Sequence, residues 1–438
     1  MSRYFEITKS EFIHFKRSPL KMTSFILFGI AIIYGCQKGY DLLRAQDKQI
    51  TFIENESDRS VQDMLLKYDE IASGAIEKPR RDPTVPYWGI WYTPTHAFKH
   101  PSSMMVFSIG QAEQYGYYKR VSNWSSTFDN DLAEEISNPE RIAVGTLDFN
   151  FVLIYLTPIL LIILLFNIGG LEKDLKFDNV INLNSTSNKS WLLSRFSFYF
   201  AITFILLLFL ATFYALISNV FQSDVQSFIN LILTIFIYLL FWSIIFYFIN
   251  IYGSGSADQA IKMISVWMVF CIIIPGTVHQ LVSIKYPTNY MTDYLDVSRD
   301  KRYDIFELSS DSLKIKLLEE FSSLQNTAYA SDTIIDKSII NRSVSGLVNL
   351  LNKDVSNSIE DLSEQKNLFI KSLSKVNPIT FFQNQINNIT RTDFYAYRRY
   401  RDKIQKIIDT KIMLILSDTW NEVVVSKEKY IEYVTTFK

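Results

Sequence analysis

The sequence predicts a polytopic α-helical membrane protein with about five transmembrane helices and two extracytoplasmic, largely helical (α+β) insertions. Five apolar stretches predict this class: a short one at Met22–Gln37 and four longer ones between Phe149 and Ile284. The run from Phe149 to Leu171 contains no charged residue. A helix needs about 20 apolar residues to cross the hydrocarbon core, and in lipid only a helix or a closed barrel satisfies its own backbone. A mean hydropathy of +0.08 indicates that these apolar runs alternate with ordinary polar blocks.

A basic leader occupies residues 1–21, and transmembrane helix 1 is predicted at 22–40. The leader mixes aromatic with charged side chains, which is typical of an amphipathic helix that lies in the membrane interface. The short apolar run also fits a cleaved or lipidated signal sequence, but the lack of a small-x-small cleavage pattern favours an uncleaved anchor. The predicted residues of this cytoplasmic elbow helix, up to the point where the chain turns into the membrane, are Phe5, Phe12, Phe15 and Pro19.

A polar block at 41–148 is predicted to be an extracytoplasmic domain. Its helical pattern continues from the first span to about Ala75 and breaks at the sequence KPRRDPTVP. The next segment is dense in Tyr and Trp with interspersed Gly and Pro, which predicts irregular packed structure with short strands. Such residues fit either a binding cleft or a small domain core with a membrane-interface belt. The candidate binding residues are Trp88, Trp91, Tyr92, His96 and His100.

A copper site is a further interpretation of this block. His96 and His100 lie close to Met104 and Met105, and imidazole and thioether groups are ligands for soft metals. No other His or Cys lies nearby in the sequence, and prolines on both sides disfavour the helix that would bring the two histidines to one face. We therefore predict no metal site.

Transmembrane helices 2–5 are predicted within 149–284. Their approximate bounds are Phe149–Leu171, Phe196–Val220, Phe228–Tyr252 and Ile261–Ile284. Lys and Arg collect in cytoplasmic loops; here they are frequent in the leader and in the loop 172–195 but absent from the turn FQSDVQS. This distribution predicts that the leader and the loop 172–195 are cytoplasmic and that both polar blocks are outside. Pro158 and Pro275 predict kinks in the second and fifth spans.

The last block, 285–438, is polar and its apolar residues recur at helical spacing. This pattern predicts an extracytoplasmic domain built of amphipathic helices. The pair Asn377-Pro378 is expected to break the chain, and the helical pattern resumes at Thr392.

The chain carries no recognisable catalytic motif. The patterns GxxxxGK[ST], GxSxG, HExxH and CxxC are all absent, and charged residues do not interrupt the spans as a proton relay requires. We therefore predict no catalytic residues, no enzyme activity in this polypeptide and no cofactor bound by it. The net charge of −1 gives no electrostatic basis for binding nucleic acid.

Three stretches, together with the order of the segments, carry a family resemblance. They are HPSSMMVFSIGQ at His100–Gln111, the segment Ile136–Ile162, and NPITFFQNQINNITRTDFYAYRRYRD at Asn377–Asp402. The chain resembles an ABC-2-type ABC transporter permease subunit, in particular the bacterial subfamily loosely labelled multi-copper-enzyme-maturation permeases. The resemblance implies a multi-pass protein of the bacterial inner membrane that moves or extracts a substrate with the help of a separate ATPase.

The resemblance also implies partners and a docking segment. The partners are a cytoplasmic ABC ATPase subunit that binds ATP and Mg, a second permease subunit in a homo- or heterodimer, the lipid bilayer and a periplasmic protein. In the family, the loop after the second span opens with an acidic-basic run followed by Gly-Thr-Leu and docks on the ATPase; here Lys176 and Phe177 stand where Gly and Thr are expected. The corresponding residues of this coupling loop are Glu172, Lys173, Asp174, Lys176, Phe177 and Asp178.

Other interpretations remain open. Family members usually end with a sixth span, and none follows the fifth span here, so either the chain is shortened or this member ends outside. The same segments fit a membrane-anchored sensor or scaffold whose extracytoplasmic domains bind a ligand or partner, although five spans exceed what an anchor needs. A membrane enzyme acting on lipid or polymer requires acid–base residues that converge near the membrane surface.

Overall fold

The computed structural model describes residues 2–129, 147–177, 188–287, 297–332, 334 and 336–437. Two short antiparallel strands, β1 (His96–Phe98) and β2 (Tyr118–Arg120), place His96 opposite Arg120. The helices, in chain order, are α1 (Ser2–Arg17), α2 (Pro19–Ala72), α3 (Pro86–Tyr92), α4 (Phe149–Asp174), α5 (Asn188–Ile217), α6 (Val220–Ser223), α7 (Val225–Tyr252), α8 (Ser256–Lys285), α9 (Val297–Glu307), α10 (Ser310–Glu320), α11 (Lys337–Ser372), α12 (Pro378–Ile389), α13 (Phe394–Trp420) and α14 (Lys427–Phe437).

Among the described residues, five helices are long and apolar enough to cross a membrane: α2, α4, α5, α7 and α8. The predicted class, a helical chain with about five apolar spans, is confirmed to this extent. α4 is the most enclosed of them, with 61% of its most apolar window buried, and α8 is the least, with 17%. α5 begins at Asn188 rather than at Phe196. The residues before the apolar run, which include Ser190 and Arg195, are helical as well and extend the helix at its N-terminal end.

α2 is a single helix of 54 residues that continues far beyond the first apolar run. Its first turn is capped by Ser18, whose hydroxyl accepts a hydrogen bond from the backbone N–H of Lys21 at 3.5 Å, and Pro19 is its first residue. At 1.5 Å per residue the helix is roughly 80 Å long. Gly39 lets its backbone approach the neighbouring turn closely, because a Cβ there would lie 2.6 Å from the carbonyl oxygen of Val106.

The second and fifth spans each contain a π-helical turn. In α4 the turn is Val152–Leu156 and is followed by Pro158; in α8 it is Val269–Ile273 and is followed by Pro275. The sequence predicts kinks at these prolines. A proline cannot donate the hydrogen bond that the carbonyl four residues earlier requires, and a π-turn is one of the local adjustments that accommodate this in a membrane helix.

The two polar blocks pack together into one body at one end of the bundle, here called the polar domain (residues 41–129 and 297–437). Its main core lies along α13, whose buried side chains contact α11 and the 3-10 turn Ser322–Asn326 that follows α10. The extension of α2 belongs to the same body, because the ring of Tyr68 packs 5.2 Å from the ring of Tyr430 of α14. The short strands β1 and β2 agree with the irregular structure predicted for the aromatic segment.

α12 is a helix that the sequence does not predict. The expected break at Asn377-Pro378 exists, but it is the start of α12 rather than a gap that lasts to Thr392. The side chain of Asn377 accepts a hydrogen bond from the N–H of Thr380 at 3.2 Å, and Pro378 occupies the first helical position, where a missing N–H is tolerated. The buried side chains that place α12 in the same apolar cluster as the spans are Ile379, Phe382, Ile386 and Ile389.

Candidate functional site

The helix bundle has two ends with different chemistry. The charged end carries α1, the last turn of α4 and the turn between α7 and α8. The domain end carries the polar domain and the turn between α5 and α7. The loop 172–195, which the sequence predicts to be a cytoplasmic coupling loop, starts at the charged end.

A buried arginine joins three helices at the charged end. Arg195 of α5 lies 2.5 Å (Nε to Oε1) from Glu11 of α1 and 2.6 Å (Nη1 to Oε1) from Glu172 of α4. Its Nη1 also donates to the carbonyl oxygen of Ile168 at 2.6 Å. Glu11 is 3% exposed and Arg195 is 9% exposed. A buried ion pair of this kind is stable only as a complete set, because removal of one partner leaves an uncompensated buried charge.

The next two residues cap the ends of α7 and α8. The ammonium of Lys173 donates to carbonyls at the C-terminal end of α7, a position where the helix dipole favours a cation. The carboxylate of Asp174 accepts a hydrogen bond from the backbone N–H of Ser256, the first residue of α8, at 3.1 Å. The carbonyls that Lys173 contacts are those of Asn250 (3.3 Å), Ile251 (3.2 Å) and Gly253 (2.5 Å).

The residues that follow form an exposed tip. Lys176 adopts the left-handed backbone conformation, with φ 59°, and its side chain is exposed. Leu175 is 57% exposed and Phe177 is 56% exposed. Asp178, also predicted as a coupling residue, lies outside the described residues. The predicted coupling loop therefore opens with three residues that are bonded within the chain and continues into an apolar, basic tip that is available to another molecule.

α1 packs against α5 and α2 at the same end. Phe15 is buried with its ring 5.4 Å from the ring of Phe25, whereas Phe12 is 47% exposed. Pro19, where the sequence predicts that the chain turns into the membrane, is the first residue of α2 and follows the end of α1 at Arg17. The side chain of Phe5 lies outside the described residues. One aromatic side of the elbow helix thus contacts the bundle and the other is exposed.

The domain end is held together by hydroxyl and amide groups and by the carboxylate of Asp148. Ser108, from the first polar block, lies 2.6 Å (Oγ to Oδ1) from Asn387 of α12. The amide of Asn150 in α4 donates to Ser108 Oγ at 3.1 Å and to Asn387 Oδ1 at 2.9 Å. Asp148, which caps α4, accepts a hydrogen bond from the N–H of Ile109 at 2.8 Å. Both polar blocks are thereby joined to the first turn of α4.

α12 also packs beside both π-helical turns. Pro158 leaves the carbonyl of Ile154, four residues earlier, without its usual helical donor. The hydroxyl of Tyr238 in α7 supplies a donor instead, at 2.5 Å from that oxygen. Phe382 of α12 meets the ring of Tyr238 edge-on, with ring centres 5.0 Å apart. A single buried tyrosine therefore links α12 to the interrupted backbone of α4.

The predicted aromatic binding residues lie far from the spans. Trp88, Trp91 and Tyr92 belong to α3, which is held beside Tyr68 of α2. Tyr68 lies about 42 Å along α2 from Tyr40, the predicted end of the first span, at 1.5 Å per residue. This distance leaves no room for a membrane-interface belt at these residues.

The two candidate histidines occupy different surroundings. His96 Nδ1 lies 3.2 Å from Ser57 Oγ, and burial together with the nearby charge of Arg120 lowers its pKa to about 4. His100 is exposed at the end of β1. Among the residues that the structure describes, no group of three or more His, Cys, Asp or Glu side chains could hold a metal ion.

Sequence reasoning missed the roles of Glu11, Arg195 and Tyr238. The distribution of Lys and Arg marks Arg195 only as one of several basic residues in a loop. Its position next to an apolar run is the one sequence feature that suggests burial. Glu11 and Tyr238 carried no local signal, because their partners are distant in the sequence. No family model, curated protein or solved structure matches this chain.

Proposed function

We propose that this chain is the transmembrane permease subunit of an ABC-2-type transporter, which moves or extracts a substrate across a membrane with energy from a separate ATPase. In this proposal α1 and the loop 172–195 are cytoplasmic, and the polar domain lies in the periplasm of a bacterium. The exposed tip, Leu175 to Phe177, contacts the ATPase. The bilayer surrounds the five apolar helices, and a second permease subunit completes the transporter.

The network at the charged end carries this proposal. Glu172, Lys173 and Asp174 are consecutive, and they bond to α5, α7 and α8 respectively. A force on the adjacent tip therefore reaches the ends of four apolar helices, including α4 itself. A scaffold needs its helices only as an anchor, whereas a transporter needs its ATPase contact connected to several of its helices.

The contacts of α4 at the domain end also support the proposal. α4 carries Asp148 and Asn150 at its first turn and Glu172 at its last, so one enclosed helix contacts both ends of the bundle. An ATPase that binds two arrangements of the tip with different affinity shifts the population between them. α4 would transmit that shift to α12 and the polar domain.

Affinity purification of the tagged full-length chain in mild detergent, with mass spectrometry of the companions, tests the proposal. Substitution of Glu172 or Asp174 would break internal bonds, so the contact is better tested by Phe177→Ala. Tyr252→Ala is the matched control, because Tyr252 is 77% exposed at the same end. We expect a P-loop ATPase with the unmodified chain and with Tyr252→Ala, and about tenfold less with Phe177→Ala.

Thermal unfolding of each purified variant shows whether the chain remains folded. A folded chain without any ATPase in several detergents contradicts the transporter, and the sensor or scaffold then becomes the better interpretation. Equal recovery with Phe177→Ala and Tyr252→Ala means that the ATPase contacts another surface.

A further inference from the structure

A row of five aromatic rings lies at the surface of the polar domain, with the buried ring of Tyr87 (9% exposed) in its middle, two half-buried indoles on one side and two exposed rings on the other. The ring centres of Trp91 and Trp88 lie 6.0 Å apart, and those of Trp88 and Tyr87 lie 5.0 Å apart. The indole Nε1 of Trp124 donates to the hydroxyl of Tyr87 at 3.0 Å, and its ring lies 6.0 Å from that of Phe306. Trp124 is 38% exposed and Phe306 is 54% exposed. These five residues are called the aromatic row.

Arg81 covers one end of the aromatic row. Its guanidinium carbon lies 5.2 Å from the ring centre of Trp88 and 5.2 Å from that of Trp91. The side chain is exposed, and within the described part of the chain it makes no hydrogen bond or ion pair. A guanidinium that stacks on aromatic rings keeps its N–H groups available for a planar acceptor such as a carboxylate.

The loop that carries Arg81 is held in place by its neighbours. Asp82 Oδ1 accepts hydrogen bonds from the N–H and the hydroxyl of Thr84, at 2.9 and 2.7 Å. The hydroxyl of Tyr68 donates to the carbonyl of Pro83 at 2.6 Å. These bonds hold the backbone that directly follows Arg81. A residue that is already held in place loses less conformational entropy when it binds a partner.

We propose that the aromatic row and Arg81 form a docking surface for a protein outside the membrane, one that places a carboxylate on Arg81 and apolar side chains along the row. Trp, Tyr and Arg dominate the binding energy of protein interfaces, and exposed apolar patches beside charged residues mark interaction sites. The surface is independent of the ATPase contact, so the inference goes beyond the proposed function.

The geometry favours a protein over a polysaccharide. A sugar chain stacks on ring faces that are parallel and uncovered. Here the rings of Trp88 and Trp91 are inclined at 77° and those of Tyr87 and Trp88 at 90°, and Arg81 lies over the two indoles. Edge-to-face rings covered by a guanidinium therefore offer no pair of parallel, uncovered faces for a sugar chain.

Charge also disfavours a second copy of this chain as the occupant. A two-fold contact places a patch against itself. The exposed Arg80 lies next to Arg81, and the nearby carboxylate of Asp82 is already bonded to Thr84 and lies 3.5 Å from the ammonium of Lys78. Such a contact would bring basic residues together without an acidic residue to receive them, whereas an acidic segment of another protein complements the patch.

Site-specific crosslinking in native membranes tests the docking surface. A photoreactive phenylalanine derivative replaces the exposed Arg80 in the tagged full-length chain, and the joined peptides are identified by mass spectrometry. We expect attachment to one protein, within a few residues of an Asp or Glu. Arg81→Glu should lower the yield about tenfold, whereas Arg59→Glu, a control at a side chain 77% exposed on α2, should leave it unchanged.

Four results overturn the docking surface. They are attachment to a glycan, attachment to a second copy of the chain, a yield that Arg81→Glu does not change, and the absence of any product. Thermal unfolding of Arg81→Glu distinguishes a lost contact from a lost fold. Because this assay does not depend on the ATPase, failure of the docking surface and failure of the transporter are distinguishable.

Discussion

The two ends of the bundle are fastened by different chemistry, although both use α4. At the charged end, Arg195 is buried between Glu11 and Glu172. At the domain end, the hydroxyl of Ser108 and the amides of Asn150 and Asn387 are neutral, and the buried carboxylate of Asp148 accepts from the backbone N–H of Ile109 and the hydroxyl of Ser108. Hydrogen bonds between ionised groups are shorter and roughly twice as strong as neutral ones. We infer that the charged end is fixed in one arrangement and that the domain end can rearrange at smaller cost.

This difference indicates where a conformational change would occur. The helix ends that Lys173 and Asp174 cap would move together with α4. α12 contacts the bundle through rings and amides beside two π-helical turns, and such turns are common at functional positions in helices. We therefore expect movement of α12 against α4 and α7 rather than movement within the charged end.

The largest predicted effect would come from Arg195→Gln. The substitution removes the cation that lies between the carboxylates of Glu11 and Glu172 and leaves only the buried ammonium of Lys21 near them. Loss of one partner of a buried ion pair costs about 3–5 kcal/mol of unfolding free energy. Thermal and chemical unfolding of the purified chain in detergent would measure it. A loss below about 1 kcal/mol would show that the pair is solvated and would remove the contrast between the two ends.

A smaller effect is expected from Asn387→Leu at the domain end. Ser108 and Asn150 would lose the amide oxygen of Asn387, and of its bonds to α12 Asn150 would keep only the longer one, to the Gln383 carbonyl. A buried polar group that loses its partner costs about 1–3 kcal/mol. The same unfolding assay applies. A loss as large as that of Arg195→Gln would contradict the idea that the domain end is the more adaptable one.

Tyr238→Phe tests the link between α12 and the proline of α4. The variant removes the donor to the Ile154 carbonyl and should cost about 1–3 kcal/mol. Pro158→Ala restores the backbone N–H four residues after Ile154, so the cost of Tyr238→Phe should fall by at least half in that background. Equal costs in both backgrounds would mean that the hydroxyl does not compensate for the proline.

The polar domain should respond to pH through Lys411 of α13. Its ammonium is buried, donates to the carbonyl of Val121 at 2.9 Å, and burial lowers its pKa to about 7. Because the unfolded chain binds this proton more tightly, stability should rise between about pH 7 and pH 9, by about 1–2 kcal/mol. Lys411→Met should reduce this dependence to the part that Lys99 contributes, since burial lowers the pKa of Lys99 to about 8. The unfolding temperature at both pH values measures the slope, and an unchanged slope would contradict the assignment.

The smallest effect is predicted for an exposed ion pair at the domain end. Arg391 lies 2.9 Å from Asp224, and its side chain is 63% exposed. Arg391→Ala should change the unfolding free energy by less than about 1 kcal/mol, because solvent screens such pairs. A larger loss would indicate that this pair, rather than the amide network, fastens the polar domain to the turn between α5 and α7.

Local patterns allowed much of the fold to be predicted. The continuation of α2 beyond Tyr40 follows from helical spacing, and the apolar spans follow from run length. The helix α12 was missed because its 12 residues look like a proline break until Phe382 and Ile386 meet the bundle. That contact depends on tertiary structure and leaves no local signal in the sequence.

The candidate site was predictable only in part, for the same reason. Glu172 and Lys173 follow an apolar run and stand out as charged residues. Their partners do not: Arg195 is one basic residue among many, and Glu11 is 184 residues away from it in the chain. Lys173 is bonded within the chain, whereas Lys176 is exposed and available to a partner. Tertiary packing decides this difference, so the sequence alone does not predict it.

The most direct test is a distance measurement at the domain end in the purified complex with the proposed ATPase. Spin labels at Gln385 of α12 and Ile229 of α7, both exposed, would report movement of α12. We predict that the distance distribution differs between the ATP-bound and vanadate-trapped complexes, and that the difference persists in Tyr252→Ala. An identical distribution in both nucleotide states would contradict transmission of ATPase movement through α4.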